Sequence, residues 1–204
     1  MAHKKLNTVV AYARCTSADT SVPIYPKERY DEIKTAKNER VRCEKYLVWK
    51  LLRKTVTEHL NLNFNNLQFT KTDNGQWICP DFYFSLTHTD GLVCVAVSNL
   101  PIGVDAERVH PINSRLADRI LTDRERTEFL RADVSERDKY LLDLWVRKES
   151  IFKKSGGKAM IPSRIETDGY TVVLKRIALC RTEYLISVCT DGDDMIEFKF
   201  MEDI

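Results

Sequence analysis

No two of the six cysteines, at positions 15, 43, 79, 94, 180 and 189, are spaced C-x-x-C. That argues against a thiolate zinc site and against a thioredoxin-type redox pair. Cys43, Cys94, Cys180 and Cys189 lie in apolar or periodic stretches and read as reduced thiols of a cytoplasmic protein. A long hydrophobic run is also lacking: nothing approaches the roughly 20 apolar residues of a membrane-spanning helix, so no membrane partner is expected. Lys4-Lys5 and the short apolar stretch ending Ala11-Tyr12-Ala13 imitate a cleavable leader, but Asn7 and Thr8 interrupt it, and it reads better as a first strand. Charge of one sign is missing as well. The 32 Lys+Arg residues face 30 Asp+Glu, a net charge of +2. With no RNA-binding motif either, no nucleic-acid partner is expected, and electrostatic recognition must come from local clusters. Neither an internal repeat nor a low-complexity tract is found.

What is present is a globular composition, 43% hydrophobic and 30% charged over 204 residues. This is enough for one large domain or two small lobes with a real core. Leu6 to Arg14 is rich in β-branched residues and reads as a strand, followed by a loop punctuated by Pro23 and Pro26. From Glu39 to Glu58 the apolar residues Leu47, Val48, Leu51, Leu52 and Val56 recur at the spacing of one buried helix face. Asn74-Gly75 signals a hairpin. Phe82–Thr87, Leu92–Ser98 and Ile102–Glu107 read as consecutive strands, with a joint near Leu100-Pro101. Thr122 with Glu125 forms a capping box that starts a helix. A longer helix from Glu136 to Lys154 is stopped by Ser155-Gly156-Gly157. Thr171–Ile177, Tyr184–Thr190 and Met195–Met201 are expected to close the chain as strands.

Three short segments carry the chemistry. In Ile102-Gly103-Val104-Asp105-Ala106-Glu107, the two carboxylates stand two apart and project from one face of a strand. Such a pair repels unless a cation lies between, and oxygen-only ligands suit a hard ion, though a D-x-E on an exposed strand edge is more often merely solvated. In Trp145-Val146-Arg147-Lys148-Glu149-Ser150-Ile151-Phe152-Lys153, the residues Trp145, Glu149 and Lys153 share one helix face. A surface Glu–Lys pair is the plain alternative, but the aromatic beside it points to a partly buried wall. In Thr87-His88-Thr89, a histidine between hydroxyls could meet a phosphate or simply cap a turn.

Together these segments resemble the 4′-phosphopantetheinyl transferase family, of the two-lobed surfactin-synthetase-activator type. Its signatures are a G-[IV]-D-x-E strand, a W-x-x-K-E-[AS]-x-x-K helix and an upstream [ST]-H-[ST] turn, here Gly103–Glu107, Trp145–Lys153 and Thr87–Thr89. The direct match spans about residues 74–160. The resemblance implies an α+β fold of two similar lobes, a pseudo-dimer with residues 1–101 and 102–204 as the lobes and the active site in the cleft between them. It implies transfer of the 4′-phosphopantetheine of coenzyme A to a serine of an apo acyl or peptidyl carrier protein, with release of 3′,5′-ADP. The alternative is a degenerate homologue that binds coenzyme A or a carrier without transfer.

Asp105, Glu107 and Glu149 correspond to the family's ligands for Mg2+, with Mn2+ a second option. Glu149, or water on the metal, takes the serine proton, and Lys153 offsets phosphate charge and assists the leaving group. Arg40, Thr87, His88, Lys148 and Lys153 correspond to coenzyme A-binding positions. The chain departs from the family at Gly75-Gln76-Trp77, where Gly-Lys-Pro is usual, so a charged contact is lost and Trp77 becomes a candidate to stack in its place. Arg115 and Arg119, near Arg124 and Arg126, form the expected docking patch for an acidic carrier. A cytoplasmic monomer is expected.

Overall fold

The computed structural model describes residues 8–192, 195–202 and 204. The Lys4-Lys5 segment and Leu6-Asn7 of the expected first strand lie outside the described residues. The elements in chain order are β1 (Thr8–Arg14), α1 (Lys27–Lys34), α2 (Glu39–Thr55), β2 (Thr70–Lys71), β3 (Trp77–Ile78), β4 (Tyr83–Thr89), β5 (Leu92–Ser98), β6 (Ile102–Arg108), α3 (Ala117–Ile120), α4 (Asp123–Arg131), α5 (Arg137–Ser155), β7 (Thr171–Leu179), β8 (Thr182–Thr190) and β9 (Ile196–Phe200). The fold is thus mixed α+β. Among the described residues no helix is long and apolar enough to cross a membrane.

Two sheets organise these elements. The first runs β4-β5-β1-β9 and the second β6-β8-β7, with β2 and β3 forming a separate hairpin around Gly75. Gly75 sits at φ +82°, in the left-handed region the tight turn requires. The apolar stripe of α2 and its C-cap, in which Leu47, Val48, Leu51, Leu52 and Val56 are at most 2% exposed, packs on Val93, Val95 and Val97 of β5. The alternate residues of β5, Leu92, Cys94 and Ala96, face a second core with Val104 and Ala106 of β6 and Ile186 and Val188 of β8. This two-sided burial is why β5 reads as an unbroken apolar run rather than an alternating one. A third core lies under α5, whose Leu141, Leu142 and Val146 meet Ile120, Phe129 and Leu185. The Thr122–Glu125 capping box is present in full.

The structure corrects the sequence reading in two places. The segment after Pro26 is not all loop: α1 forms there and buries Arg29, Tyr30 and Ile33. Its charged neighbours conceal the short apolar stripe, and Arg29 is buried only because its guanidinium lies 5.0 Å from the Trp49 ring and 3.0 Å from Glu32. The division at residues 101 and 102 also fails for the last strand. β9 leaves the second half of the chain and pairs in parallel with β1, Val10 opposite Phe198. No local signal in the sequence specifies which strand edge a terminal strand joins.

The second sheet meets the first through β6, whose Val104 amide donates to the Ser85 hydroxyl of β4 at 3.0 Å. On its other side β6 is pressed against α5. A Cβ on Gly103 would stand 1.9 Å from the Ser150 carbonyl oxygen and 2.6 Å from the Lys154 amide nitrogen, both backbone atoms that cannot rotate away. The glycine of the G-V-D-x-E segment is therefore what lets the strand carrying Asp105 and Glu107 approach the helix carrying Glu149 and Lys153. Gly103→Ala is expected to destabilise the fold by about 2–3 kcal/mol through this overpacking. Chemical denaturation checks it, and an unchanged midpoint would contradict the close approach.

Candidate active site

Alternation along β4 and β6 assembles the carboxylates. Thr87 and Thr89 point to one side of β4, Asp105 and Glu107 to one side of β6, and the two sets meet. The Thr87 hydroxyl donates to Asp105 Oδ1 at 3.0 Å and the Thr89 hydroxyl to Glu107 Oε2 at 3.2 Å. From α5, Lys153 Nζ donates to Asp105 Oδ1 at 2.7 Å and the Trp145 indole to Glu107 Oε1 at 3.3 Å. Glu149 lies between Trp145 and Lys153 on the same helix face, half-buried. The face shared by Trp145, Glu149 and Lys153 is therefore a partly buried wall, not an open surface pair.

The electrostatics of this cleft are those of crowded carboxylates. Burial, followed by repulsion from Asp105 and Glu107 and opposed by Lys153, pushes the Glu149 carboxyl up to about 7. Burial and then Asp105 raise Glu107 as well, against the hydrogen bonds from Trp145 and Thr89. Asp105 is 5% exposed, and its Oδ2 is buried without a hydrogen-bond partner. Among the described residues no group of three or more His, Cys, Asp or Glu side chains is arranged to hold a metal ion as it stands. The donor set nevertheless fits one. An orphaned buried carboxylate oxygen, two further carboxylates raised by burial and by Asp105, and an all-oxygen chemistry match a hard divalent cation.

The phosphate-binding candidates divide. His88, on the opposite side of β4 from Thr87 and Thr89, donates or accepts through Nδ1 at 3.0 Å from Glu44 Oε2. Arg40 lies 3.5 Å from the same carboxylate and 3.2 Å from Asp90. Arg40 and His88 are thus brought together, and Glu44, which the sequence reading missed, is what joins them. Burial lowers the His88 imidazole from its usual range, Glu44 opposes this and Lys153 adds to it. Thr87 is only 4% exposed and its hydroxyl is engaged by Asp105.

Lys148 is a correction. Its side chain is fully buried and its ammonium donates to Glu125 Oε2 at 2.6 Å, the Ile120 carbonyl at 2.8 Å and the Pro162 carbonyl at 3.0 Å. Three acceptors use its three donors, so Lys148 ties α5 to α4 and does not meet a ligand. Trp77 is a second correction. It is 9% exposed, its indole donates to Glu32 at 2.8 Å and its ring lies 5.6 Å from Trp49, so it cannot stack on a ligand. The hairpin instead reaches α5: Asn74 Nδ2 donates to the Gly156 carbonyl at 2.7 Å, and Gln76 Nε2 to the Lys153 carbonyl at 3.4 Å.

Beside the carboxylates an apolar groove of about 700 Å3 runs from Glu107 and Glu149 past Ile112, Leu116, Leu142 and Met160. Arg119 lines it; Arg115, on a single 3-10 turn before α3, is exposed nearby. Arg124 and Arg126 are occupied elsewhere, Arg124 by Asp168 and Glu166, Arg126 by Asp118.

Residues 101–189 match the model of the 4′-phosphopantetheinyl transferase superfamily. Among curated proteins the chain is 30% identical over 115 residues to the 4′-phosphopantetheinyl transferase ffp of Bacillus subtilis, covering 55% of this chain and 51% of that protein. It is 29% identical over 115 residues to the 4′-phosphopantetheinyl transferase Sfp of Bacillus subtilis (strain 168), with the same coverage of 55% and 51%. It is 30% identical over 113 residues to the 4′-phosphopantetheinyl transferase gsp of Aneurinibacillus migulanus, covering 55% and 48%. The chain spans about half the length of the curated relatives it matches. The matched region, which holds all of Asp105, Glu107, Glu149 and Lys153, is similar to the 4′-phosphopantetheinyl transferase superfamily and to relatives of the Sfp type.

The raised Glu149 carboxyl has a consequence for stability. Its folded value, about 7, lies above its ordinary 4.5, so the native state holds a proton that the unfolded chain has lost between these values. Stability therefore falls as pH rises through that window. Without a divalent cation, Glu149→Gln is expected to raise stability at pH 8 by about 1–2 kcal/mol after solvent screening, and to leave it unchanged at pH 4. Thermal unfolding at the two pH values checks this, and a variant less stable at pH 8 would contradict the crowding of carboxylates.

Proposed function

We propose that this protein transfers the 4′-phosphopantetheine group of coenzyme A to a serine of an apo acyl or peptidyl carrier protein, releasing 3′,5′-ADP. The observation that carries this reading is the convergence of Asp105, Glu107, Glu149 and Lys153 in one partly buried cleft with Asp105 Oδ2 left unpartnered. In this reading Asp105, Glu107 and Glu149 hold Mg2+, or Mn2+ in its place. The ion, when bound, neutralises the coenzyme A pyrophosphate and the charge that develops on it.

The carrier serine hydroxyl attacks the β-phosphate, the bond to the departing 3′,5′-ADP breaks, and the serine proton passes to a base. Glu149, or water on the metal, would take that proton. The Lys153 ammonium, 2.7 Å from Asp105, is placed to offset negative charge on the leaving phosphate. Arg40 and His88 meet the anionic end of coenzyme A. The two sheets with their helices form two lobes around the cleft, and the enzyme works as a cytoplasmic monomer. Binding without transfer is the weaker reading, because Asp105, Glu107, Glu149 and Lys153 are all present in the chain.

Intact mass spectrometry of an apo carrier incubated with coenzyme A and Mg2+ tests the reading. Conversion to the holo mass is expected, Asp105→Ala is expected to abolish it, and failure against a panel of apo carriers would overturn the activity. Lys153→Ala is expected to lower kcat by about two to three orders of magnitude, with a smaller change in the KM for coenzyme A. Full turnover in that variant with a slightly lower Tm would make Lys153 a structural ion-pair partner only.

Arg115 and Arg119 flank the groove that begins at Glu107 and Glu149, and we assign them to docking of an acidic carrier. Such contacts act mainly on encounter and weaken with salt. Arg115→Glu combined with Arg119→Glu is expected to raise the KM for the carrier and flatten its salt dependence while the KM for coenzyme A stays put. Wild-type carrier kinetics at low salt in this double variant would place docking elsewhere.

A further inference from the structure

We propose that Glu44 is a positioning residue for coenzyme A binding: a buried carboxylate that fixes the orientation of both His88 and Arg40 at the anionic end of the cleft. The inference rests on the reading above that these two side chains meet coenzyme A phosphates.

Glu44 stands one turn after Arg40 on α2, and its side chain is only 5% exposed. A carboxylate so far from water is stable only when paired. Its two partners are His88 Nδ1 at 3.0 Å from Oε2 and Arg40 Nε at 3.5 Å from Oε1. Neither partner is a neighbour of the other in sequence. Arg40 belongs to the helix packed on the first sheet, His88 to the strand whose flanking threonines hold Asp105 and Glu107.

With both carboxylate oxygens taken, each partner is left with one free side. Donation of Nδ1–H to Glu44 sets the imidazole tautomer and leaves Nε2 as the ring nitrogen that can meet a ligand. The Arg40 guanidinium, anchored through Nε, keeps its terminal nitrogens toward the exposed Asp90, which a phosphate can displace. A bare histidine and arginine would reach the same atoms only from among many rotamers, so ordering them in advance reduces the entropy lost on binding. Glu44 itself is buried and makes no ligand contact; it acts through its two partners.

A merely structural Glu44, pinning α2 to β4, would lower Tm and nothing else. Calorimetric binding of coenzyme A to Glu44→Ala, His88→Ala and the double variant separates the two roles, with no transfer step needed. The expected result is an affinity about tenfold weaker in Glu44→Ala. In the His88→Ala background the same substitution is expected to cost markedly less, because the partner is already gone. Nitrogen-15 NMR of labelled histidine is expected to show His88 protonated at Nδ1 in the wild-type protein and shifted toward Nε2 protonation in Glu44→Ala. Glu44→Gln keeps a hydrogen-bond acceptor of the same size and is expected to restore the wild-type tautomer, and Glu44→Leu takes the place of Glu44→Ala in the cycle if that variant does not fold. Wild-type affinity in the apolar Glu44 variant, an equal loss in both backgrounds, or an unaltered His88 tautomer in that variant would overturn the proposal while leaving coenzyme A as the ligand. A wild-type protein that does not bind coenzyme A would overturn the reading of the site and this proposal with it.

Discussion

Carboxylates taken out of water next to one another repel, and this repulsion organises the cleft. Asp105 is held by Thr87 and Lys153 on one oxygen and by nothing on the other. Glu107 is held by Thr89 and Trp145, and Glu149 is raised first by burial and then by the carboxylates across the gap. The hydrogen bonds that fix the carboxylates of β6 come from β4 and from α5, so the arrangement persists only if β4, β6 and α5 stay packed. The Lys153 ammonium compensates part of the charge. The remaining negative charge is what a hard divalent cation held by Asp105, Glu107 and Glu149 would offset.

The supports of this cleft lie further out than the reacting groups. Gly103 permits the contact between strand and helix. Ser150 and Ser187 share a hydrogen bond of 2.8 Å that fastens α5 to β8 directly behind the carboxylates. The buried Lys148–Glu125 pair fixes the outer side of α5 to a capping box that itself starts α4. On the inner side, Asn74 and Gln76 from the hairpin take the carbonyls at the end of α5. The motif W-x-x-K-E-x-x-x-K therefore mixes two roles on two faces. Trp145, Glu149 and Lys153 face the cleft, whereas Lys148 faces the protein interior.

The sequence carried the cleft more fully than it carried the supports. Asp105 and Glu107 were legible because strand alternation puts residues two apart on one face, and Glu149 and Lys153 because helical spacing does the same at four. The ends of β5, β6 and α5 and the capping box at Thr122 follow from local chemistry and match to within a residue or two. Pairings between distant segments were not legible. Nothing near Lys148 indicates that Glu125, 23 residues earlier, lies against it, and the motif context made a buried cation look like a ligand contact. Glu44 reads as one more charged residue on a helix until the fold brings His88 to it. Trp77 looked available because hairpin loops are usually exposed, yet α1, itself hidden among charges, closes over it through Glu32.

The proposed site depends on Asp105, Glu107 and Glu149 together holding a divalent cation. Mn2+ serves as a direct probe, since the signal of the free ion in electron paramagnetic resonance reports how much the protein has taken up. A saturable site is expected in the wild-type protein, tightened by coenzyme A and lost in a folded Asp105→Ala variant. Undiminished Mn2+ uptake by that variant, or no uptake by the wild-type protein in the presence of coenzyme A, would contradict it.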